Sequence, residues 1–416
     1  MSTLSLVRKN GLPWFDYLLI AGVILAPMTG LRIWKIGPSE LLCAVWCFKY
    51  LLYIIQGKFD HFLTKFWVPF FVTLLAGTGY SLLYHPAESS GIEGITTWFF
   101  LLFFSLGLLQ GLRQHSLQNI LKILEKICFG AAIWYPLMWV YSLNVSRFFL
   151  GARLWYSTSW TRFTGGADNP HQLALLTLGL TFVSLYFITR VHISKLRKFF
   201  HALCVTVFLF LLSMTRSTTA WMAMFFSGAF GIAVMLVMKK QAIRSRQLTA
   251  LLSLLFFSTV LVLGFSQLYS AFINWVSSDS NGLHRFKLFA YIVEPLQKNP
   301  FFGLGDGIHS NSGTMGFHNS YLEVIAMTGL IGFTLFTVFS VRLFKRLAVD
   351  PFLLLTPLAM YVYGLAGFGL RRLPFWALVT ALAVVAEKLA SEQKAPLDEM
   401  NPDPQRSQRG YFILHG

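Results

Sequence analysis

The residues best equipped for chemistry stand together: His318, Asn319, Ser320, Tyr321, Leu322 and Glu323, followed by an apolar run from Val324 to Gly332 that includes Gly329. An imidazole and a carboxylate thus sit at the mouth of a membrane helix, where ionisable groups are costly and usually functional. A free histidine titrates at about pH 6.5, so His318 is suited to accept a proton near neutrality. Two plainer readings share the string. Ser320 and Glu323 have the S-x-x-E spacing of a capping box, which accounts for both without catalysis. Gly329 and Gly332 suit close packing against a neighbouring helix.

Accepting a proton is half of a group transfer; the other half is holding the charge of the leaving group. Arginine does this with a planar fork that matches phosphate oxygens. Arg216 lies between two apolar runs with almost no loop to spare, and Ser217 or Thr218 can cap the helix that follows, whose amides and dipole favour an anion. Other basic residues share its side of the chain: Arg147, Arg153 and Arg162; Arg285, Lys287 and Lys298; Arg371 and Arg372. Singly, each suits headgroup contact by a snorkelling side chain. Together they suit phosphate binding. Residues 283–294 around Arg285 read as a short interfacial helix, and the stretch from Asn299 to Gly307 as a Gly-rich turn. A second constellation runs from Gly165 to Gln172, with Asn169 as N-cap and Pro170 at the first helical position. Asp168 and His171 within it are candidates for the acceptor side of a cleft.

The elements that must position these groups are helices. The chain is 55% hydrophobic and 12% charged, with long apolar runs from Trp14 almost to Ala390, which excludes a soluble α/β enzyme and defines an all-α polytopic membrane protein. At about 20 residues per span, about twelve helices are expected, near 14–31, 38–55, 66–83, 95–112, 123–143, 171–189, 199–214, 218–238, 248–270, 319–340, 351–369 and 374–390. Lys and Arg cluster in alternate connections, at Arg8 and Lys9, Lys58 and Lys65, Arg113 and Lys122, residues 190–198, residues 239–246 and residues 342–346. By the positive-inside rule these face the cytoplasm, as do both termini, and the connections holding the candidate residues face outward. The net charge of +17 therefore reflects membrane topology and not a nucleic-acid partner. Residues 1–390 form a single transmembrane domain, 271–318 an outward loop inserted within it, and the polar stretch 391–416 a disordered cytoplasmic tail. The four cysteines, Cys43, Cys47, Cys128 and Cys204, fall inside spans, so no outward disulfide framework is expected. Cys43 and Cys47 share a helix face and read as small packing residues.

On these residues the chain resembles the O-antigen ligase and polymerase superfamily of bacterial envelope glycosyltransferases. The ligase signature is His, then Asn, Ser or Gln, nine residues, Gly, two residues, Gly, and His318, Asn319, Gly329 and Gly332 fit it without a gap. Arg285 followed by Asn299, Pro300 and Gly303 to Gly305 resembles the family's large outward loop, and Arg216 matches its basic position between two central spans. The chain departs from the pattern at Ser217, where the family often has Gly, and at Phe289, where it often has Trp.

The resemblance implies a fold similar to the GT-C glycosyltransferases, with a periplasmic loop bearing short helices, in the bacterial inner membrane. It implies an inverting, metal-independent transfer of O-antigen glycan from undecaprenyl pyrophosphate to a sugar hydroxyl of lipid A core, in lipopolysaccharide biosynthesis, with no cofactor. His318 would be the general base, and Arg216 and Arg285 would neutralise the pyrophosphate. Asn319, Arg147, Arg153, Arg162, Asp168, His171, Lys287, Arg371 and Arg372 would contact donor, acceptor and membrane lipids. A polymerase using the same donor shares all these features. A transporter of an anionic solute is the rival from another class, but it would show internal repeats and ionisable groups near the midplane, and the middles of these spans look clean of charge.

Overall fold

The computed structural model describes residues 4–5, 11–32, 36–55, 61–84, 93–157, 161–237, 292–305 and 319–400. The elements are α1 (Asp16–Leu25), α2 (Pro38–Ile55), α3 (His61–Tyr84), α4 (Glu93–Gln114), α5 (Leu117–Asn144), α6 (Pro170–Thr189), α7 (Lys195–Thr215), α8 (Thr218–Val237), α9 (Val293–Lys298), α10 (Ser320–Leu347), α11 (Leu355–Gly364) and α12 (Leu373–Met400). The fold is all-helical, as the composition requires. Seven of the described helices are long and apolar enough to cross a membrane, and shorter apolar helices accompany them at Asp16–Leu25, Thr218–Ile232 and Pro351–Gly364. The expected span at 248–270 and residues 401–416 lie outside the described residues. Helix α12 runs on through Met400, into the stretch whose polarity suggested a tail.

Helix starts follow their caps. Ser116, Asn169 and Ser194 each accept from a backbone amide of the first turn that follows, and Pro170 occupies the first helical position after Asn169. The centre of the bundle is α6 and α12: 83% of each span is buried, against 44–50% in the other five. Around them α7 packs on α6, α3 on α10, α2 on α1 and α8 on α11. Large aromatics fill the space beside α12, with Trp67 and Trp376 ring centroids 4.6 Å apart and Phe66 stacked on Phe339 at 4.5 Å. Cys43 and Cys47 are buried against Gly22 and Gly107, the packing role their spacing suggests.

The two ends of the bundle differ in kind. One end is held by ion pairs: His115 to Asp16 at 3.0 Å, Arg190 to Asp350 at 3.3 Å, Arg113 to Glu387 at 2.8 Å, and Arg197 with Glu125. The short parallel pairing of β1 (Leu4–Ser5) with β6 (Val191–His192) brings the start of the chain to the same end. The opposite end carries two short β-hairpins between α5 and α6, β2 (Phe148–Phe149) with β3 (Ala152–Arg153) and β4 (Trp155–Ser157) with β5 (Thr161–Phe163). No alternating apolar pattern announces these strands. Each is only two or three residues long, too short for periodicity to register.

Helix α10 is not continuous, and the interruption organises this second end. Gly329 has φ 61° and ψ −164°, a conformation open in practice only to glycine. An unbroken helix would pair the amides of Leu330 and Ile331 with the carbonyls of Ala326 and Met327. Instead, Ala326 and Met327 accept from Leu304 and Gly305 at 2.9 and 3.0 Å, while Leu330 and Ile331 donate to Pro300 and Phe301 at 2.9 and 3.3 Å. The turn after α9 is thus spliced into the helix ladder. Asn299 stabilises the turn from inside, its carbonyl accepting from Gly303 N, and Tyr80 of α3 donates to the carbonyl of Lys298 at 3.1 Å. A side chain at Gly77 of α3 would strike Phe302, Gly305 and Met327. Gly329 is therefore a backbone requirement and not only a packing position, whereas Gly332 lies tight against Thr328 and Thr73, the packing role its spacing suggests.

This architecture makes three predictions. Gly329→Ala places a Cβ on the Phe301 carbonyl and costs about 1–3 kcal/mol, which a thermal melt in detergent records as a fall of several degrees. Gly79→Ala, where an added Cβ meets nothing within 4 Å, leaves the melt unchanged or raises it, since alanine is the better helix former by about 1 kcal/mol. The His115–Asp16 pair makes stability depend on pH. Burial alone would lower the His115 pKa, but hydrogen bonds to Asp16 and the Gly111 carbonyl, with the Asp16 charge, raise it above its ordinary value. A raised histidine stabilises fully below its unfolded value of about 6.5 and loses that contribution as pH climbs through the folded value. Melting temperature falls across that interval, and His115→Gln flattens the profile.

Candidate functional site

The end of the bundle bearing Arg216 gathers five separate pieces of chain. Arg216 terminates α7 in the left-handed conformation, φ 51° and ψ 37°, one of two described non-glycine residues with positive φ. Helices normally end this way on glycine, because a Cβ there costs about 1–2 kcal/mol. The arrangement turns the chain within a single residue, so that Ser217 caps α8, accepting from Ala220 N at 3.4 Å, and Arg216 is left exposed at the bend.

From Ser217 a continuous polar network spreads across this end. His171, in the first turn of α6, places Nδ1 3.0 Å from the Ser217 hydroxyl. Its backbone carbonyl accepts from the buried Tyr363 hydroxyl of α11 at 3.0 Å. Thr219 of α8 donates to the Ala366 carbonyl at 3.3 Å, and Asn319 Nδ2 donates to the Leu365 carbonyl at 2.9 Å. The α11–α12 connection thereby joins the Arg216 bend to the residue that follows His318.

The capping-box reading of Ser320 and Glu323 is corrected here. Asn319 is the cap, its Oδ1 accepting from Tyr321 N and Leu322 N at 2.9 and 3.1 Å. Ser320 is freed for the α11–α12 connection, donating to the Gly367 carbonyl at 2.7 Å and accepting from Gly369 N at 2.9 Å. Glu323 faces Arg371, 2.7 Å from Nη1. The S-x-x-E spacing places the cap one position too late, because asparagine caps as well as serine does.

Among the other expected residues, Arg372 follows Arg371 directly and is half-buried. Its pKa is pushed down to about 10, first by burial and then by the neighbouring charges of Arg32 and Arg371. Asp168 is exposed, and its amide donates to the Thr29 hydroxyl, which ties the 164–168 turn to the end of α1. Arg162 is half-buried on β5, which packs on α7. Arg147 and Arg153 are exposed on the outer hairpin and take no part in the described network. His318, Arg285 and Lys287 lie outside the described residues.

Sequence reasoning missed three contributors. Arg32, at the end of α1, binds Glu40 through Nε at 3.0 Å as well as through Nη2. Its position after the first span, on the same side as Arg216, was the available signal. Tyr363 and Thr219 sit in apolar runs and carried no signal. Of the buried ionisable groups, Asp16, Glu125 and His201 lie near the opposite end and Glu323 at this one, so they cluster toward the ends of the described spans.

Fold and site together define a multi-pass helical membrane protein with a basic, hydrogen-bonded site at one end. Residues 202–337 match the family model described as O-antigen ligase. The matched segment is less than half of the chain and includes Arg216, His318 and the Gly329 break. No curated protein and no solved structure matches the chain.

The Glu323–Arg371 pair is buried enough to be tested by its partners. Glu323→Gln removes the carboxylate that faces the Arg371 guanidinium and costs about 1–3 kcal/mol. Adding Arg371→Gln recovers most of the loss, a coupling that a double-mutant cycle of thermal melts measures directly.

Proposed function

We propose that the protein transfers a glycan from a polyprenyl pyrophosphate carrier to a sugar hydroxyl, and that it acts as an O-antigen ligase whose donor is undecaprenyl-pyrophosphate-linked glycan and whose acceptor is lipid A core. The observation that carries this reading is the convergence of the Arg216 bend, His171, Asn319 and the Arg371–Arg372 turn on one end of the bundle, one residue from His318. Such an end suits a reaction between two substrates that share a membrane surface.

The chemistry asked of the residues is modest. Pyrophosphate is already a good leaving group, so the enzyme must hold its charge and relieve the acceptor of a proton. The acceptor oxygen bonds to the anomeric carbon as the bond from that carbon to the phosphate oxygen breaks, inverting the centre. The hydroxyl proton passes to the His318 imidazole, and the electron pair leaves with polyprenyl pyrophosphate, whose charge Arg216 and Arg285 balance. With guanidinium groups in that role, the transfer needs no metal ion and persists in chelator. The positive-inside pattern orients the bundle with both termini in the cytoplasm and this end in the periplasm of an inner membrane.

The test is polymer attachment to lipid A core in a strain without its own ligase. His318→Ala lowers the rate by about 10² to 10⁴, the usual contribution of a general base, and Arg216→Ala and Arg285→Ala abolish attachment. Normal attachment by the His318 variant contradicts the assignment of the base. Supplying the donor with a second lipid-linked repeat unit distinguishes a polymerase, which lengthens the carrier-linked glycan and leaves the core unmodified.

A further inference from the structure

The connection between α5 and α6 leaves its helix and then turns back along it. Tyr141 and Trp134 stand three and ten residues before α5 ends at Asn144, about 5 and about 15 Å inside that end at a rise of 1.5 Å per residue. Phe149 of β2 meets both rings edge to face, with centroids 5.7 Å from Tyr141 and 6.0 Å from Trp134. The chain has therefore reversed, and the β2–β3 hairpin runs back beside a helix long and apolar enough to cross the membrane. At the base of the hairpin Leu154 N donates to the Arg147 carbonyl at 2.8 Å, and Trp155 Nε1 donates to the Ser142 hydroxyl at 2.8 Å, close to the helix end. The tip, Leu150 and Gly151, is the part farthest from that base.

The two faces of the hairpin are unlike. Phe149 and its partner Ala152 lie on the inner face: Ala152 is buried, and a Cβ added at Gly30 would stand 3.0 Å from its own. Phe148, opposite Arg153, is 49% exposed, and Leu150 at the tip is 80% exposed. This apolar surface adjoins that of α5, where Ile133, Leu137 and Val140 are exposed at the depth of Trp134 and Tyr141. Lipid cannot satisfy irregular backbone, and here protein does so: the Arg153 carbonyl accepts from Thr164 Oγ1 at 2.6 Å, and the Leu154 carbonyl from Thr164 N at 2.9 Å.

The tip also departs from the usual chemistry of such turns. Leu150 and Gly151 have φ 49° and 88°, two positive values in a two-residue hairpin loop, where Asn or Asp normally fills the first position. Leucine strains the backbone there, and its side chain would stand almost wholly in water if the hairpin faced solvent. Strain kept at a defined point marks a functional position, and the exposed leucine is favourable only when hydrocarbon surrounds it.

We propose that the β2–β3 hairpin is a re-entrant element that inserts Phe148 and Leu150 among the phospholipid acyl chains of the leaflet at this end of the bundle. The contact is apolar; Arg147 and Arg153 lie between tip and base, where long stems let their charged heads reach water. The inference rests on the membrane-spanning fold and is independent of the glycan-transfer reading.

The depth of the tip is measured directly. Full-length protein carrying Leu150→Cys or Val145→Cys is labelled with nitrobenzoxadiazole; the four native cysteines are buried and do not compete, and both new positions are exposed, so neither change removes packing. Each protein is reconstituted into phosphatidylcholine vesicles, whose surface has no net charge, with a nitroxide placed either on the headgroup or along the acyl chain. The label at 150 emits to the blue of the label at 145 and loses more of its emission to the chain nitroxide than to the headgroup nitroxide. The label at 145, at the base, loses less to the chain nitroxide than the label at 150 does. Equal depth at the two positions, or a deeper label at 145, overturns the proposal, because the hairpin would then not re-enter the bilayer. A blue-shifted label at 150 that neither nitroxide quenches also overturns it, by placing the tip against protein.

Discussion

The structure depends on how backbone polar groups are satisfied at membrane depth. Lipid supplies no hydrogen bonds, so irregular backbone is tolerated there only where protein supplies the partners. The break in α10 at Gly329 meets that condition by exchange: the two carbonyls and two amides it releases are taken up by residues 300–305. Glycine is needed at 329 for its backbone conformation, and at 77 to let the α3 backbone approach. The exchange anchors the chain at Gly305, and Asn319 is held separately as the cap of α10.

A second constraint is the division of arginines by partner. Arg32 and Arg371 each have a glutamate, and Arg197 and Arg190 have carboxylates at the other end of the bundle. All but the Arg32–Glu40 pair join elements distant in sequence and hold the bundle's ends together. Arg216 is placed by a left-handed backbone conformation, and Arg372 by the turn that Ser320 holds. Backbone strain concentrates at functional sites, and here it lies at the end of the molecule that carries Arg371 and Arg372.

Much of this was legible in the sequence, and the reason differs from one element to the next. Apolar runs of span length identify α3 to α7, α10 and α12 because lipid admits only helices of that length. The Asn169–Pro170 start of α6 and the Ser217 start of α8 are local events governed by adjacent residues. The grouping of Arg216, His171, Arg371 and Arg372 at one end followed from the alternation of basic connections. What sequence could not give was partner choice over long separations: Ser320 with Gly367 and Gly369, Glu323 with Arg371, Tyr363 with the His171 carbonyl. Nor did a Gly-rich turn and a Gly in a distant helix announce that their backbones would pair, since no local pattern encodes that exchange.

The central claim is that this end of the molecule transfers glycan with loss of the carrier pyrophosphate. Purified protein, given a lipid-linked glycan and a hydroxyl-bearing glycolipid acceptor in chelator, is the direct measurement, with released polyprenyl pyrophosphate and new glycosidic bonds quantified in the same reaction. The account predicts one carrier pyrophosphate released for each bond formed, with the anomeric configuration of the transferred sugar inverted. Movement of an anionic solute across a proteoliposome membrane with the acceptor left unmodified would contradict it.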